Sequence, residues 1–254
     1  MTGSARIAGL YRYPVKGLSP EAMQEAALRP GETIDWDRAF AIENGSADFD
    51  PAAPKHFPKV KFLMLMKNER LARLHSRFDE RTATLTLSEN GRQVVSGNLM
   101  TVEGRTAIEA FMAQYMKAEL RGAPRIVHAP GFSISDVAAK VVSLINLASV
   151  RELEKLIGRP VDPLRFRGNL LVQGLSPWED HDWAGREIRL GEIRARGVMP
   201  IRRCAATNVD PSTAERDMEI PATLQRNLGH MNLGLYAEVL DAGTIRPGDR
   251  IALV

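Results

Sequence analysis

The sequence predicts a mainly β fold of the α+β kind, made of two β-rich parts with a few short helices. Three observations predict it: apolar side chains recur with period two over short runs, turn residues punctuate those runs, and few stretches carry helix signals. In chain order, Thr84-Leu85-Thr86-Leu87 alternates as a half-buried strand. Thr106-Ala107-Ile108-Glu109 has capping-box spacing, and Ile108, Phe111, Met112, Tyr115 and Met116 then share one helical face before the stop signals Gly122 and Pro124. Ser149-Val150-Arg151-Glu152 repeats the box and turns Val150, Leu153 and Ile157 inward before Gly158 and Pro160. Leu170-Leu171-Val172 is a compact apolar strand followed by Gly174, and Thr223–Leu228, stopped by Gly229, reads as a third, shorter helix. Leu235–Leu240 precedes the turn residues Asp241-Ala242-Gly243. Arg246-Pro247-Gly248-Asp249 then sets Pro and Gly where a type II turn needs them, and Arg250–Val254 closes as a strand. Hairpins repeated in this way predict a barrel or folded sheet. The first helix and Arg121–Pro124 mark the boundary, so the parts are 1–120 and 121–254, with no repeat and no low-complexity tract.

Composition narrows the function. The chain has 254 residues, 44% hydrophobic and 26% charged, which is ordinary globular composition. Thirty-four basic and 31 acidic side chains leave a net charge of +3. Of the basic residues 26 are Arg and 8 are Lys, and guanidinium groups suit two-pronged binding of phosphate or carboxylate. The longest basic run is the pair Arg202–Arg203, which argues against a nucleic-acid track. Met1–Val15 lacks the apolar core of a signal peptide, and apolar stretches such as Phe62–Met66 are too short to span a bilayer. A single cysteine excludes an intramolecular disulfide and a cysteine-rich zinc site, and a reducing cytoplasm is the expected location.

Common catalytic motifs are missing. The chain has no G-x-G-x-x-G fingerprint and no P-loop lysine motif. His56, His75, His128, His181 and His230 lack the i, i+4 pairing of a helical zinc site, so each reads as a surface or satisfied core residue. Gly174-Leu175-Ser176-Pro177-Trp178 begins like a nucleophile elbow but lacks the second glycine.

What remains is Cys204, within Pro200-Ile201-Arg202-Arg203-Cys204-Ala205-Ala206-Thr207-Asn208-Val209-Asp210-Pro211. Two adjacent cations favour a thiolate, which is both a nucleophile and a soft metal ligand. Cysteine is also a frequent buried apolar residue, and spacing alone leaves both readings open. Thr207, Asn208 and Asp210 speak against simple core filling, because they need partners if buried. Lys16, Arg38, Arg165, Arg167 and Asn169 fall at strand ends, where each taken singly is a solvated end. Gathered near one thiolate, they would suit an anionic, sulfur-bearing ligand.

These residues carry a resemblance. Arg203–Pro211, with Phe166-Arg167-Gly168-Asn169 upstream, resembles the MOSC (molybdenum cofactor sulfurase C-terminal) domain, and Pro177-Trp178-Glu179, Trp183 and the terminal Gly243–Asp249 continue the match. Tyr13-Pro14-Val15-Lys16 and Asp37-Arg38 resemble the N-terminal β-barrel module that commonly precedes it. The functional group it is similar to is the mitochondrial amidoxime-reducing component and its bacterial relatives. The resemblance implies a C-terminal MOSC β-barrel binding a molybdenum–pterin cofactor (Mo-molybdopterin), and it carries a family-level association with pyridoxal phosphate binding. It implies that Cys204 ligates molybdenum beside the pterin's dithiolene sulfurs. Lys16 and Arg38 would lie near the pterin phosphate, Arg167 and Asn169 would hold the pterin, Asp136 would be an acidic residue of the pocket with a role in proton relay, and Arg203 would support the thiolate. Gly17 stands where many relatives have serine, removing one hydroxyl contact to the cofactor. Thr213-Ala214 replaces the usual Thr-Gly after the Asp-Pro pair.

The expected function is therefore molybdenum-dependent reduction of N-hydroxylated compounds: amidoximes, hydroxylamines or N-hydroxylated bases. No cysteine-desulfurase domain precedes the chain and no ferredoxin extension follows it, so electrons are expected from a separate flavoprotein reductase, ferredoxin or cytochrome b5-type protein. The alternative is a sulfur carrier using a Cys204 persulfide. A third reading is a binding module for an anion or nucleic acid, which the balanced charge and missing aromatic platforms oppose.

Overall fold

A computed structural model describes residues 4–46 and 48–254; Ala47 and Met1–Gly3, the first residues of the segment read as lacking a signal-peptide core, lie outside them. The first part contributes β1 (Arg6–Arg12), β2 (Glu21–Met23), β3 (Ala26–Leu28), β4 (Phe40–Asn44), β5 (His75–Asp79), β6 (Thr84–Glu89), β7 (Arg92–Asn98) and α1 (Val102–Tyr115). The second adds β8 (Pro124–His128), β9 (Val142–Asn146), α2 (Leu147–Ile157), β10 (Leu170–Gln173), β11 (Glu187–Leu190), β12 (Ile193–Arg202), α3 (Ile220–Leu228), β13 (Asn232–Val239), β14 (Gly243–Ile245) and β15 (Ile251–Leu253). The fold is mainly β, as the alternation predicted.

An eight-stranded sheet runs in the order β15-β11-β12-β13-β9-β10-β1-β2. Its pairs are antiparallel except β9 and β10, whose connection is the crossover helix α2. The turn at Arg246–Asp249 forms as its residues require, with Gly248 at φ 96° and the Asp249 amide donating to the Arg246 carbonyl at 3.1 Å. It also delivers the last strand to the first. The Ile7 amide reaches the Asp249 carbonyl at 2.9 Å and the Ile251 amide reaches the Ala5 carbonyl at 2.8 Å, curling the sheet back on itself. Ile7, Leu10, Leu144, Leu170, Ile188 and Leu235 fill the concave side. A second core, built on Phe40, Leu63, Leu85, Leu87, Ile108 and Met112, joins β4, β6 and α1. A third lies under α2 and α3, around Val150, Leu153 and Leu224.

Two helix starts differ from expectation. Thr101, not Thr106, caps α1 by accepting from the Gly104 amide at 3.1 Å, and the Glu109 carboxylate receives the Ile126 amide at 2.7 Å instead of closing a box. Asn146, the last residue of β9, caps α2 through the Ala148 amide at 2.9 Å. Ser149 is fully buried and accepts from the Trp178 amide. In both cases a longer-range partner claimed the side chain that local spacing had assigned to the cap. The inward faces stand: Ile108 and Met112 on α1 and Met116 just beyond it are buried, as are Val150 and Leu153 on α2. No described helix is long and apolar enough to cross a membrane.

One register feature bears on the site. β12 pairs with β13 as Gly197↔Ala237 and then Met199↔Tyr236, so two residues advance on one strand against one on the other. This bulge reverses the inside–outside alternation beyond Gly197.

Gly234 in β13 shows how tightly the sheet backs the site. It has φ 88°, and a Cβ there would collide with the Leu144 carbonyl and stand 2.9 Å from the Arg203 guanidinium. Gly234→Ala should lower stability by about 3 kcal/mol, from left-handed strain and overpacking together, read as a fall in urea midpoint. An unchanged midpoint would contradict this packing.

Candidate functional site

The chain leaves β1 at Tyr13, whose side chain is fully buried. Its amide donates to Asp37 at 2.8 Å, and the Arg38 and Arg167 guanidinium carbons lie 4.6 and 4.3 Å from its ring centre. Burial pushes the Tyr13 hydroxyl up to about 12, against the pull of the two arginines. The ring is therefore a neutral platform for two cations. Arg38 and Arg167 both adopt left-handed backbone conformations, φ 54° and 51°, costing on the order of 1–2 kcal/mol each. Hydrogen bonds hold the shape. The Arg38 amide reaches the Tyr13 carbonyl at 2.7 Å, its guanidinium reaches Asp37 at 2.5 Å and the Arg167 carbonyl at 2.8 Å, and Arg167 reaches the Leu18 carbonyl at 2.7 Å. Burial opposes the Arg38 charge, but Asp37 outweighs it and the pKa is raised. Arg167 has no carboxylate partner among the described residues, and burial brings it down to about 10. It remains a cation at neutral pH.

Lys16 follows. It is buried, and its ammonium donates to the Ile134 carbonyl at 3.1 Å and to Asp136 at 2.5 Å. Lys59, on a single 3-10 turn over Lys59–Lys61, meets the other Asp136 oxygen at 3.3 Å. Burial lowers the Lys16 pKa, with Asp136 opposing. Burial also works against the Lys59 charge, but Asp136 and then Cys204 outweigh it, so its pKa is raised. Asp136 is held far below the usual carboxylate range, because Lys16 and Lys59 together outweigh its desolvation. At neutral pH this carboxylate is an acceptor.

Cys204 comes just after β12 and is half-buried. The 3-10 turn Ala205–Asn208 follows it, with Thr207 Oγ1 donating to the Cys204 carbonyl at 2.9 Å. The Arg203 guanidinium is buried and spent on backbone carbonyls. Its Nε donates to the Leu233 carbonyl at 2.7 Å and its Nη1 to the Phe166 carbonyl at 2.9 Å, and burial brings its pKa down to about 10. The polar run beyond finds partners: Asn208 Oδ1 accepts from the Ile220 amide, and Asp210 from Arg165. Ala214 sits at φ 61° with its methyl packed on Ala72 and Val209, which anchors the loop where the usual glycine is absent.

All eight residues singled out from the sequence line one cavity of about 310 Å³: Lys16, Gly17, Arg38, Asp136, Arg167 and Asn169, together with Arg203 and Cys204. Gly17 is at φ 87°, and a Cβ would lie 2.9 Å from the Leu63 carbonyl, so the missing serine hydroxyl follows from local backbone crowding. Asn169 spends most of its amide on the sheet. Its Oδ1 accepts from the Ser143 amide and hydroxyl, and one N–H reaches the Tyr11 carbonyl, leaving the second N–H. Arg165 also lines the cavity, but its charge is matched by Asp210 at 2.6 Å and Asp217 at 2.8 Å. Lys59, Tyr13 and Asp37 shape the site without having been singled out. Tyr13 and Asp37 stood inside the recognised segments, whereas Lys59 sits among scattered lysines that read as solvated loop.

Among the described residues no three His, Cys, Asp or Glu side chains are grouped to hold a metal. A metal at Cys204 must therefore arrive with donors of its own, and the surrounding cations ask for an anion. A molybdenum–pterin cofactor, which carries two sulfur donors and a phosphate, fits both conditions.

Comparison with known proteins agrees with this chemistry. A family model described as the MOSC domain matches residues 128–252, and one described as the MOSC N-terminal beta barrel domain matches residues 4–123. Mitochondrial amidoxime-reducing component 1 of Homo sapiens is 22% identical over 285 aligned residues, covering 98% of this chain and 82% of its own. The Mus musculus protein of the same name is 26% identical over 154, covering 56% of this chain and 42% of its own. Molybdenum cofactor sulfurase of Anopheles gambiae is 35% identical over 105, covering 37% of this chain and 13% of its own. The chain thus spans less than half the length of two of these three relatives.

The Lys16–Asp136–Lys59 cluster has a pH signature. A carboxylate with a depressed folded pKa adds stability above its unfolded value, about 3.9, and loses it as the pH falls further. Asp136→Asn should lower the thermal midpoint at pH 7, and the gap from the parent should narrow below about pH 4. A gap of constant size from pH 7 to pH 3 would rule out the ion pairs as its source.

Proposed function

The chain belongs to the MOSC family, with the MOSC domain preceded by its N-terminal β-barrel module, and on that premise we propose that it is a molybdenum-cofactor-dependent reductase of N-hydroxylated compounds. MOSC membership carries a molybdenum-cofactor-related function; the substrate class is our reading. One observation supports it most: a single thiol in a cavity walled by Lys16, Arg38 and Arg167, with no protein metal site to compete for it among the described residues.

When bound, the molybdenum–pterin cofactor would supply the two-electron chemistry that removes oxygen from an N–OH group. The net change is R–NHOH with two electrons and two protons to R–NH2 and water. Cys204 offers a soft thiolate ligand. Lys16, Arg38 and Arg167 would hold the phosphate end by charge-assisted hydrogen bonds, and the remaining Asn169 N–H would be offered to the pterin. Arg203, bound to the Leu233 and Phe166 carbonyls, fixes the segment that presents the thiol. Asp136 keeps the Lys16 and Lys59 ammonium groups in place; held ionised by both, it has no proton to deliver and is a weak base, so its part is to position those two cations.

Electrons come from a separate flavoprotein reductase, ferredoxin or cytochrome b5-type protein, and the cytoplasm is the proposed location. The division into 1–120 and 121–254 is part of the same proposal.

Purified protein containing molybdenum should lose both metal and benzamidoxime reduction in Cys204→Ala, with far-UV circular dichroism unchanged. Full metal retention would remove Cys204 as the ligand. Arg167→Met should lower the pterin released on oxidation, measured by fluorescence. A persulfide on Cys204 after incubation with a cysteine desulfurase, in protein free of molybdenum, would favour a sulfur carrier instead.

A further inference from the structure

The cavity has a second character at its mouth. Met199 lies in the middle of β12, yet it is 51% exposed, unusual for a large apolar side chain in a central strand of this sheet. The bulge explains its direction. Ala195 faces the core on β12, as do Leu235 and Ala237 on β13. Without the extra residue, Met199 would fall opposite Leu235 on that inner side. With it, Met199 pairs with Tyr236, on the other face, and both side chains line the cavity. Bulges that re-aim a side chain are over-represented beside active sites.

Leu65 and Met66, both half-buried, contribute further apolar surface to the same cavity from the first part of the chain. They are pinned. The Arg216 guanidinium donates to the Leu65 carbonyl at 3.0 Å, to the Met66 carbonyl at 2.8 Å and to the Ala205 carbonyl at 3.1 Å, while pairing with Glu69 at 3.0 Å. One side chain thus ties the apolar rim to the residue after Cys204.

Resting on the reductase reading, we propose that Met199, Tyr236 and the Leu65–Met66 rim form an apolar seat for the aromatic body of the N-hydroxylated substrate, with Arg216 as its positioning residue. The cationic end of the cavity takes the anionic group, and this end takes the uncharged flat one. Thioether side chains conform to varied shapes and pack well on ring edges, so the seat selects for aryl substrates without selecting one ring. A small substrate such as hydroxylamine has nothing to place there.

The test uses the molybdenum-loaded full chain with a reduced viologen as electron donor. It compares Met199→Ala, Met199→Leu and Arg216→Gln with the parent. KM is measured for benzamidoxime and for hydroxylamine, benzamidoxime binding by calorimetry, and molybdenum and pterin content directly. Met199→Ala should raise the benzamidoxime KM and weaken its binding about tenfold, leaving hydroxylamine within about twofold and cofactor content unchanged. Met199→Leu should restore most of the loss, and Arg216→Gln should shift KM in the same selective way. Equal effects on both substrates, no effect on either, or loss of pterin from Met199→Ala would each overturn the seat. Binding of benzamidoxime that depends on Met199 without any reduction would keep the seat and sink the reductase reading. Reduction of both substrates with Met199-independent binding would do the reverse.

Discussion

Positive charge withdrawn from water, with too little negative charge beside it, is the constraint that shapes this cavity. Lys16 and Arg203 are nearly out of solvent, and Arg38 and Arg167 both lie against the ring of a buried tyrosine. Desolvating such groups is costly unless hydrogen bonds replace the lost water. The chain supplies backbone carbonyls: Ile134 for Lys16, Arg167 for Arg38, Leu18 for Arg167, and Leu233 and Phe166 for Arg203. Carbonyl dipoles satisfy the geometry of these cations but not their charge. The remaining field points into the cavity, where an anion can answer it.

The same constraint accounts for the strained backbone. Arg38 and Arg167 take left-handed conformations because each must turn its side chain onto Tyr13 and its carbonyl or amide toward the other segment. Tyr13 contributes no charge of its own at neutral pH, so the cations gain the ring face without being neutralised by it. Around Cys204 the arrangement is complementary. Arg203 is turned inward and used structurally, while Lys59 is the ammonium whose charge the neighbouring sulfur favours.

Local features of the fold were legible in the sequence, and features set by distant partners were not. The strand around Thr84–Leu87, the run at Leu170 and the turn at Arg246–Asp249 depend on a few adjacent residues and form as read. The two helix starts moved because Glu109 and Ser149 bond to Ile126 and Trp178, far along the chain. Cys204 and the polar residues at strand ends stood out in the sequence itself, but their joining into one site was visible only through a family resemblance, since nothing in their spacing brings position 16 to position 204. Lys59 and Met199 escaped even that. The first approaches from an irregular turn, and the second owes its direction to a bulge defined across two strands.

β1 belongs by sequence to the first part of the chain, yet it lies beside β10 and hydrogen-bonds to the residues around β15. A fragment starting near residue 121 would therefore leave two open borders, each offering unpaired amides and carbonyls to another molecule. Such a piece would be a template for self-association, and the duty of β1 is as much to cover these two borders as to carry Tyr13 to its place.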